Sequence, residues 1–435
     1  MRRRNLSRGA LSSCVTAALL AGCGALRQAQ GDMQPPIVAP GTLPQTSALA
    51  TSTNRTHYKV LYSFSGGSDG SNPVAPLIYV GGTLYGETEA GGPYSCELYK
   101  GCGTVFSVTL GGVEKVLHTF GAGSDGRFPR AGLIEVRGTL YGTTFLGGSH
   151  ICYASSGKYY FSCGTVFSMT KNGTEKVLHS FEGTDGANPS AGLIHVKGAL
   201  YGTTGSGGGN ICYSDSGFSC GTVFSVTTGG TEEVLHSFRA RPDGAYPAAG
   251  LIYVGGKLYG TTFGGGRHGD GAVFTITTRG AEKVLHGFGA GSDGRGPSAG
   301  LIDVGGTLYG TTENGGAYTC GSHGAHCGTV FSIVPGGTEK VLHSFGSGSD
   351  GANPIGSLIE LNGKLYGTTV NGGAYGGGTV FSITPGGKEK VRHSFGAGYD
   401  GGGPEAGMID AGGTLYGTTV GGGTDGRGTV FALTL

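Results

Sequence analysis

Leu301-Ile302-Asp303-Val304, Leu308-Tyr309-Gly310-Thr311-Thr312, Gly328-Thr329-Val330-Phe331-Ser332 and Val341-Leu342-His343-Ser344-Phe345 are four short runs in one stretch of chain. Each is rich in β-branched and aromatic residues and bounded by glycine, which reads as a strand. Gly305-Gly306 separates the first two, and Pro335-Gly336-Gly337 the last two. Gly-Gly supplies the positive φ angles of a two-residue hairpin turn. The stretch therefore predicts an antiparallel meander of four strands, labelled A to D.

The same unit recurs along the chain. Leu-Tyr-Gly begins at Leu84, Leu140, Leu200, Leu258, Leu308, Leu365 and Leu415. Seven four-stranded sheets set about an axis make a β-propeller. A solenoid is the competing architecture, but units of this length are too long for one coil of a β-helix. Strands A, B and C occur seven times, whereas D follows C only six times. A further D-like run, Lys59-Val60-Leu61-Tyr62-Ser63-Phe64, precedes the first A strand. Paired with the last C strand, it would close the ring and remove an exposed edge. The expected fold is all-β, a seven-bladed propeller over residues 58–435.

The chain has 435 residues, and 95 are glycine. No Gly-X-Y period is present, so the glycine belongs to turns and not to a collagen helix. Lys and Arg number 29 against 28 Asp and Glu, so there is no basic footprint for nucleic acid. Arg2, Arg3, Arg4 and Arg8 precede an apolar stretch that is too short to span a bilayer. Together they read as an export signal over residues 1–22. Leu20-Ala21-Gly22-Cys23 resembles the bacterial lipobox, in which the Cys is acylated. Cleavage of an ordinary signal peptide nearby is the alternative. Residues 23–57, rich in Gln, Pro, Ser, Thr and Ala, read as a flexible tether. The expected address is outside the cytoplasm, on a membrane.

The repeat elements, Leu-Ile-x-Val, Leu-Tyr-Gly-Thr-Thr, Gly-Thr-Val-Phe-Ser and Leu-His-Ser-Phe, resemble the GloVer tandem repeat of bacterial "choice-of-anchor" surface proteins. The resemblance spans roughly residues 58–435. It implies an exported, anchored protein and carries no catalytic residues with it.

Alternating strand direction puts the D-to-A and B-to-C loops on one face and the A-to-B and C-to-D turns on the other. The first set is long and varied, and variable loops on a rigid scaffold are where function usually sits. In units four, six and seven the B-to-C loop has eight residues and no cysteine. In units one, two, three and five it has 14, 19, 16 and 15, each with two cysteines. The match predicts four local disulfides, Cys96 with Cys102, Cys152 with Cys163, Cys212 with Cys220, and Cys320 with Cys327. Free thiols or zinc ligands are the alternatives, and an exported protein favours disulfides. The same loops carry Tyr94, Tyr99, Tyr153, Tyr159, Tyr160, Tyr213, Phe218 and Tyr318, which suit contact with a sugar ring or peptide. Packing within the loop is the other use for them.

Asp-Gly-x-x-Pro recurs in all seven D-to-A loops, at Asp69, Asp125, Asp185, Asp243, Asp293, Asp350 and Asp400. Every blade needs the same turn, so these aspartates are expected to hold it by accepting backbone N–H groups two residues on. His118, His179, His236, His286, His343 and His393 recur in strand D, with Tyr62 in the seventh place. They are expected to pack or hydrogen-bond in the outer blade, on one strand face with the Val two residues before and the Phe two residues after. Successive blades should hold them too far apart for a metal. His150, His268, His323 and His326 lie in B-to-C loops and share no spacing.

Non-repeated acids that could serve an enzyme are Glu87, Glu89, Glu97, Glu135, Asp215, Asp303 and Glu313. Nothing in the sequence selects a pair, and no cofactor or metal is expected. The expected function is binding or adhesion to an extracellular glycan or protein through the B-to-C face, with a lyase or glycosidase, or an envelope component, as alternatives. What lines the mouth of the central channel should discriminate among them.

Overall fold

The computed structural model describes residues 56–96, 100–153, 160–210, 212, 219–320, 325–346 and 348–435. Tyr99, Tyr159, Tyr213, Phe218, Glu97, Asp215, His323 and Cys23 lie outside them, and Tyr153 and Tyr160 are described by backbone alone.

The chain forms seven four-stranded antiparallel blades arranged in a ring, a seven-bladed β-propeller. Blade 1 shows the pattern: A is Ile78–Val80, B Thr83–Thr88, C Thr104–Thr109 and D Glu114–Thr119. A lies innermost and D outermost. Gly81 (φ 58°) and Gly82 (φ 87°) make the tight A-to-B turn. In blade 2 that turn is Arg137-Gly138, with Arg137 at φ 52°. The Leu-Tyr-Gly glycine has a steric cause. A Cβ on Gly86 would come within 2.6 Å of the Phe106 ring and 2.7 Å of Leu77. The strand C phenylalanine lies directly across strand B.

The ring closes with the N-terminal strand. His57–Ser63 pairs antiparallel with Thr429–Thr434 from His57↔Thr434 to Ser63↔Thr429, completing blade 7. Two short ribbons, Ile151–Tyr153 with Tyr160–Ser162 and Thr319–Cys320 with Ala325–His326, stand outside the blades in B-to-C loops.

The core lies between blades. It divides into seven apolar clusters, one per junction. Each strand D phenylalanine sits edge-on to the strand C phenylalanine of the next blade. Phe120 meets Phe167 at 5.3 Å between centroids, Phe345 meets Phe381 at 5.0 Å, and Phe64 of blade 7 meets Phe106 of blade 1 at 5.0 Å. These rings are fully buried, and edge-to-face pairs add about 0.5–1.5 kcal/mol beyond burial.

One expectation fails at a bulge. Val105 pairs with His118, but the next residue, Phe106, pairs with Val116, so Leu117 is extra. Adjacent residues of strand C point to opposite faces. His118 therefore shares a face with Val105, and Val116 lies on the other. The same shift occurs in every blade, so the histidines keep company with the Phe but not with the preceding Val.

Candidate functional site: the channel mouth and its surrounding loops

The recurring aspartates make a different bond from the one expected. Their carboxylates reach back to the end of strand D. Asp125 accepts the Gly121 N–H at 3.0 Å and faces His118 Nε2 at 3.2 Å. The Asp–His contact repeats at 2.8–3.2 Å in six blades, and the Tyr62 hydroxyl donates to Asp69 at 2.9 Å in the seventh.

The next blade also reaches this rim. The glutamate that opens its strand D lies against the preceding blade's Asp–His pair, as Glu175 does beside His118 and Asp125. Burial first, and then charged neighbours such as Asp125, push the Glu175 carboxyl up to about 7. Glu114, Glu232, Glu282 and Glu339 are likewise pushed up to about 7, and Glu389 to about 6, all by burial first. Strand D of each blade leans on the D-to-A loop of the one before, so a glutamate joins the Asp–His pair, a contact the strand pattern does not announce. In the last blade Tyr58 replaces the glutamate. It stacks on His393 at 3.9 Å and donates its hydroxyl to the Asp400 carbonyl.

The four disulfides pair as the loop lengths imply: Cys96–Cys102, Cys152–Cys163, Cys212–Cys220 and Cys320–Cys327. Most of the sulfur-bearing residues are buried under their loops. Tyr94 and Tyr318 stand 41% and 45% exposed above them. Exposed tyrosines are not confined to stapled loops. Tyr375, in the short B-to-C loop of blade 6, is 63% exposed, and Tyr399, in the following D-to-A loop, is 71% exposed.

At the axis, the residues between the D-to-A proline and strand A enclose a cavity of about 320 Å³. Alanine and glycine from successive blades, such as Ala191, Gly192, Ala249 and Gly250, line it together with Leu and Ile side chains at the start of strand A. The position after the proline varies. It is Val74, Arg130, Ser190, Ala248, Ser298, Ile355 and Glu405 in turn. Two charges thus enter a ring of small residues.

Arg130 is clamped. Its Nε donates to Glu89 Oε1 at 2.9 Å, its Nη2 bonds the same oxygen, and its guanidinium lies 4.2 Å over the Phe145 ring. Glu89 is buried. Burial, and then the charge of Glu89, push the Glu405 carboxyl up to about 7, with Arg130 pulling it down and Glu313 adding to the rise. Burial also raises Glu313. The cluster therefore brings together residues of blades 1, 2, 5 and 7.

Glu87 lies one turn of the pleat below Glu89. Six blades have Thr at its place, and Thr203, Thr261, Thr368 and Thr418 donate to a carbonyl of the next blade at 3.1–3.3 Å. Glu87 is 1% exposed, neither of its oxygens has a partner, and burial raises it well above the usual carboxylate range.

Of the acids read from the sequence, Glu89 pairs with Arg130, and Glu89 and Glu313 both lie near enough to Glu405 for their charges to act on it. Glu135 instead accepts the Gly138 N–H in an A-to-B turn on the opposite face, and Asp303 is exposed on strand A. Arg130 and Glu405 were not among the sequence candidates. Their signal was a variable position between an unvarying proline and small residues.

The fold and this face define a closed-ring repeat propeller with one irregular side. The repeat matches the Gloeobacter/Verrucomicrobia repeat over residues 46–215 and 210–431, and the chain belongs to that family. No curated protein matches it. Among solved structures it is similar to a gluconolactonase from Xanthomonas campestris (13% identity, 68% of this chain and 90% of that one, TM-score 0.38). It is also similar to a puromycin-hydrolysing peptidase from Mycobacterium tuberculosis (11%, 84% and 54%, 0.47) and a luciferin-regenerating enzyme (10%, 87% and 95%, 0.40). The chain spans about half the peptidase. Likenesses this distant carry no functional argument.

Proposed function

We propose that this protein is an exported, lipid-anchored binding module that takes an extracellular glycan or protein on its B-to-C face. The observation that carries the reading is where the sevenfold repeat breaks. The stapled loops, the exposed tyrosines 94, 318, 375 and 399, and the Glu89–Arg130–Glu405–Glu313 cluster all belong to the D-to-A and B-to-C side. None of them is needed to build a blade, since other blades do without each one. Stapled loops and packed rings lose little entropy on binding. Tyrosines over a polar mouth suit the apolar faces and hydroxyls of sugars, so a glycan is the favoured ligand class. Cys23 would carry the lipid.

A glycan array probed with the purified protein tests the binding. At least one oligosaccharide should be retained, and Arg130→Gln should release it from a ring that is still folded at the assay temperature, though with a lower melt, since the buried Glu89 loses its partner. Retention of nothing, or binding indifferent to Arg130, would refute the reading. Membrane fractionation of Cys23→Ser tests the anchor: the variant should stay unprocessed or become soluble.

A second reading has one observation behind it. Glu405 holds its proton near neutrality beside Glu89, which is engaged by Arg130. Neighbouring carboxyls in different protonation states suit general acid and base roles in glycosidic cleavage. Release of reducing ends from the retained oligosaccharide, lost in Glu405→Gln, would favour an enzyme.

A further inference from the structure

We propose that the rim junction between blades 2 and 3 is a Zn²⁺ site formed by His179, Asp185 and Glu232. His179 and Asp185 belong to the end of blade 2, and Glu232 opens strand D of blade 3. One donor atom from each lies within 4.8 Å of the other two. Zinc takes imidazole nitrogen and carboxylate oxygen at about 2.0–2.2 Å, so shifts of about 1 Å bring all three onto one ion.

The bland use of these residues is the brace seen at the other junctions, and three observations together argue for a further use at this one. First, the brace leaves Glu232 unsatisfied, as it leaves the matching glutamate at the five other junctions that have one. Asp185 accepts the Glu182 N–H on one oxygen and faces His179 at 2.8 Å with the other, but Glu232 Oε1 is buried and has no partner. Where Tyr58 stands in the glutamate's place, its hydroxyl is bonded and its ring is stacked, so that junction leaves no such orphan. Second, convergence is selective. Among the described residues only this junction and the next, with His236, Asp243 and Glu282, bring three such donors so close. Third, the site opens on a cavity of about 570 Å³ lined by these three residues and by Ser149, His150 and Glu182. His150 comes from the B-to-C loop of blade 2 and has no counterpart in the repeat. Two carboxylates and a neutral imidazole balance a divalent ion, and His150 shares the wall of the same cavity. Imidazole with carboxylate selects zinc-like transition metals over calcium or magnesium.

The test is Zn²⁺ titration of the full-length, chelator-treated protein by calorimetry, with the thermal melt followed in parallel. One tight equivalent is expected, binding at micromolar concentration or below, together with a rise in melting temperature. Glu232→Gln and His179→Gln should each weaken that equivalent at least tenfold and abolish the rise. Glu389→Gln, at a junction whose donors do not converge, should change neither. Because Glu232→Gln is nearly isosteric, its metal-free melt should match the wild type, which separates loss of a ligand from loss of folding. No binding at micromolar Zn²⁺ would overturn the proposal, as would binding that survives both substitutions.

Discussion

The rim and the channel mouth are built from the same seven repeats and have opposite characters. At the rim, Asp, His or Tyr and the neighbouring glutamate recur around the ring, and each junction repeats the last with small changes. At the mouth, one position per blade is free, and the chain puts a single arginine and a single glutamate there. The difference separates two tasks. What every blade needs is repeated, and what only one ligand needs is not. Recurrence of a polar residue in a propeller is thus an argument for architecture, and a break in recurrence is an argument for function.

If the repeated part is architecture, damaging it should unfold the ring. The largest effect is expected from deleting residues 57–63, which leaves blade 7 three-stranded and exposes the Thr429–Thr434 edge. The melting temperature should fall by at least about 10 °C, with aggregation. Deleting residues 24–50 should leave it unchanged, and equal melts for the two deletions would break the closure account. Next is Phe345→Ala at the junction of blades 5 and 6. Denaturant unfolding should show a loss of about 3–5 kcal/mol, whereas Tyr318→Ser on the loop face should stay within about 0.5 kcal/mol.

Smaller effects sharpen the boundary between the two regions. Replacing Cys152 and Cys163 together by Ser opens a short loop outside the blades. It should cost about 2–3 kcal/mol in the chain-entropy account and leave the blade spectrum intact by circular dichroism. The smallest effect concerns Glu405. Its proton is held more tightly in the folded protein, near 7, than in the unfolded chain, near 4.5. The associated stability is therefore complete below about pH 4.5 and is lost as pH rises towards 7. Glu405→Gln should remove that slope. Its melt should exceed the wild type's by about 1–2 °C above pH 7 and match it at pH 4. A constant difference across the range would mean that Glu405 does not titrate there.

The blades were legible because short glycine-bounded strands and glycine-containing hairpin turns are local features that recur in all seven units. The disulfide pairing was legible because loop length and cysteine number rise together. The face of the strand D histidines was misread, since the residue opposite Leu117 is missing from strand C and no local pattern announces a bulge. The approach of Glu175 to His118 was missed for a related reason. It depends on how one blade leans on the next, which strand patterns do not encode. Arg130 and Glu405 lie far apart in sequence and meet only because the ring brings blades 2 and 7 to one axis. Aligning the seven units and looking at the position that follows the D-to-A proline would have found them.

The central claim is that ligand is taken on the face where the repeat breaks. It is tested most directly by comparing two sets of substitutions against the oligosaccharide the array identifies. One set, Tyr94→Ser, Tyr318→Ser, Arg130→Gln and Glu405→Gln, alters the B-to-C face. The other, Leu110→Ser, Val113→Ser and Val334→Ser, alters exposed apolar residues at C-to-D turns on the opposite face. Binding should weaken at least tenfold, about 1.4 kcal/mol, with the first set and stay unchanged with the second. Loss with the second set and tolerance of the first would contradict the account.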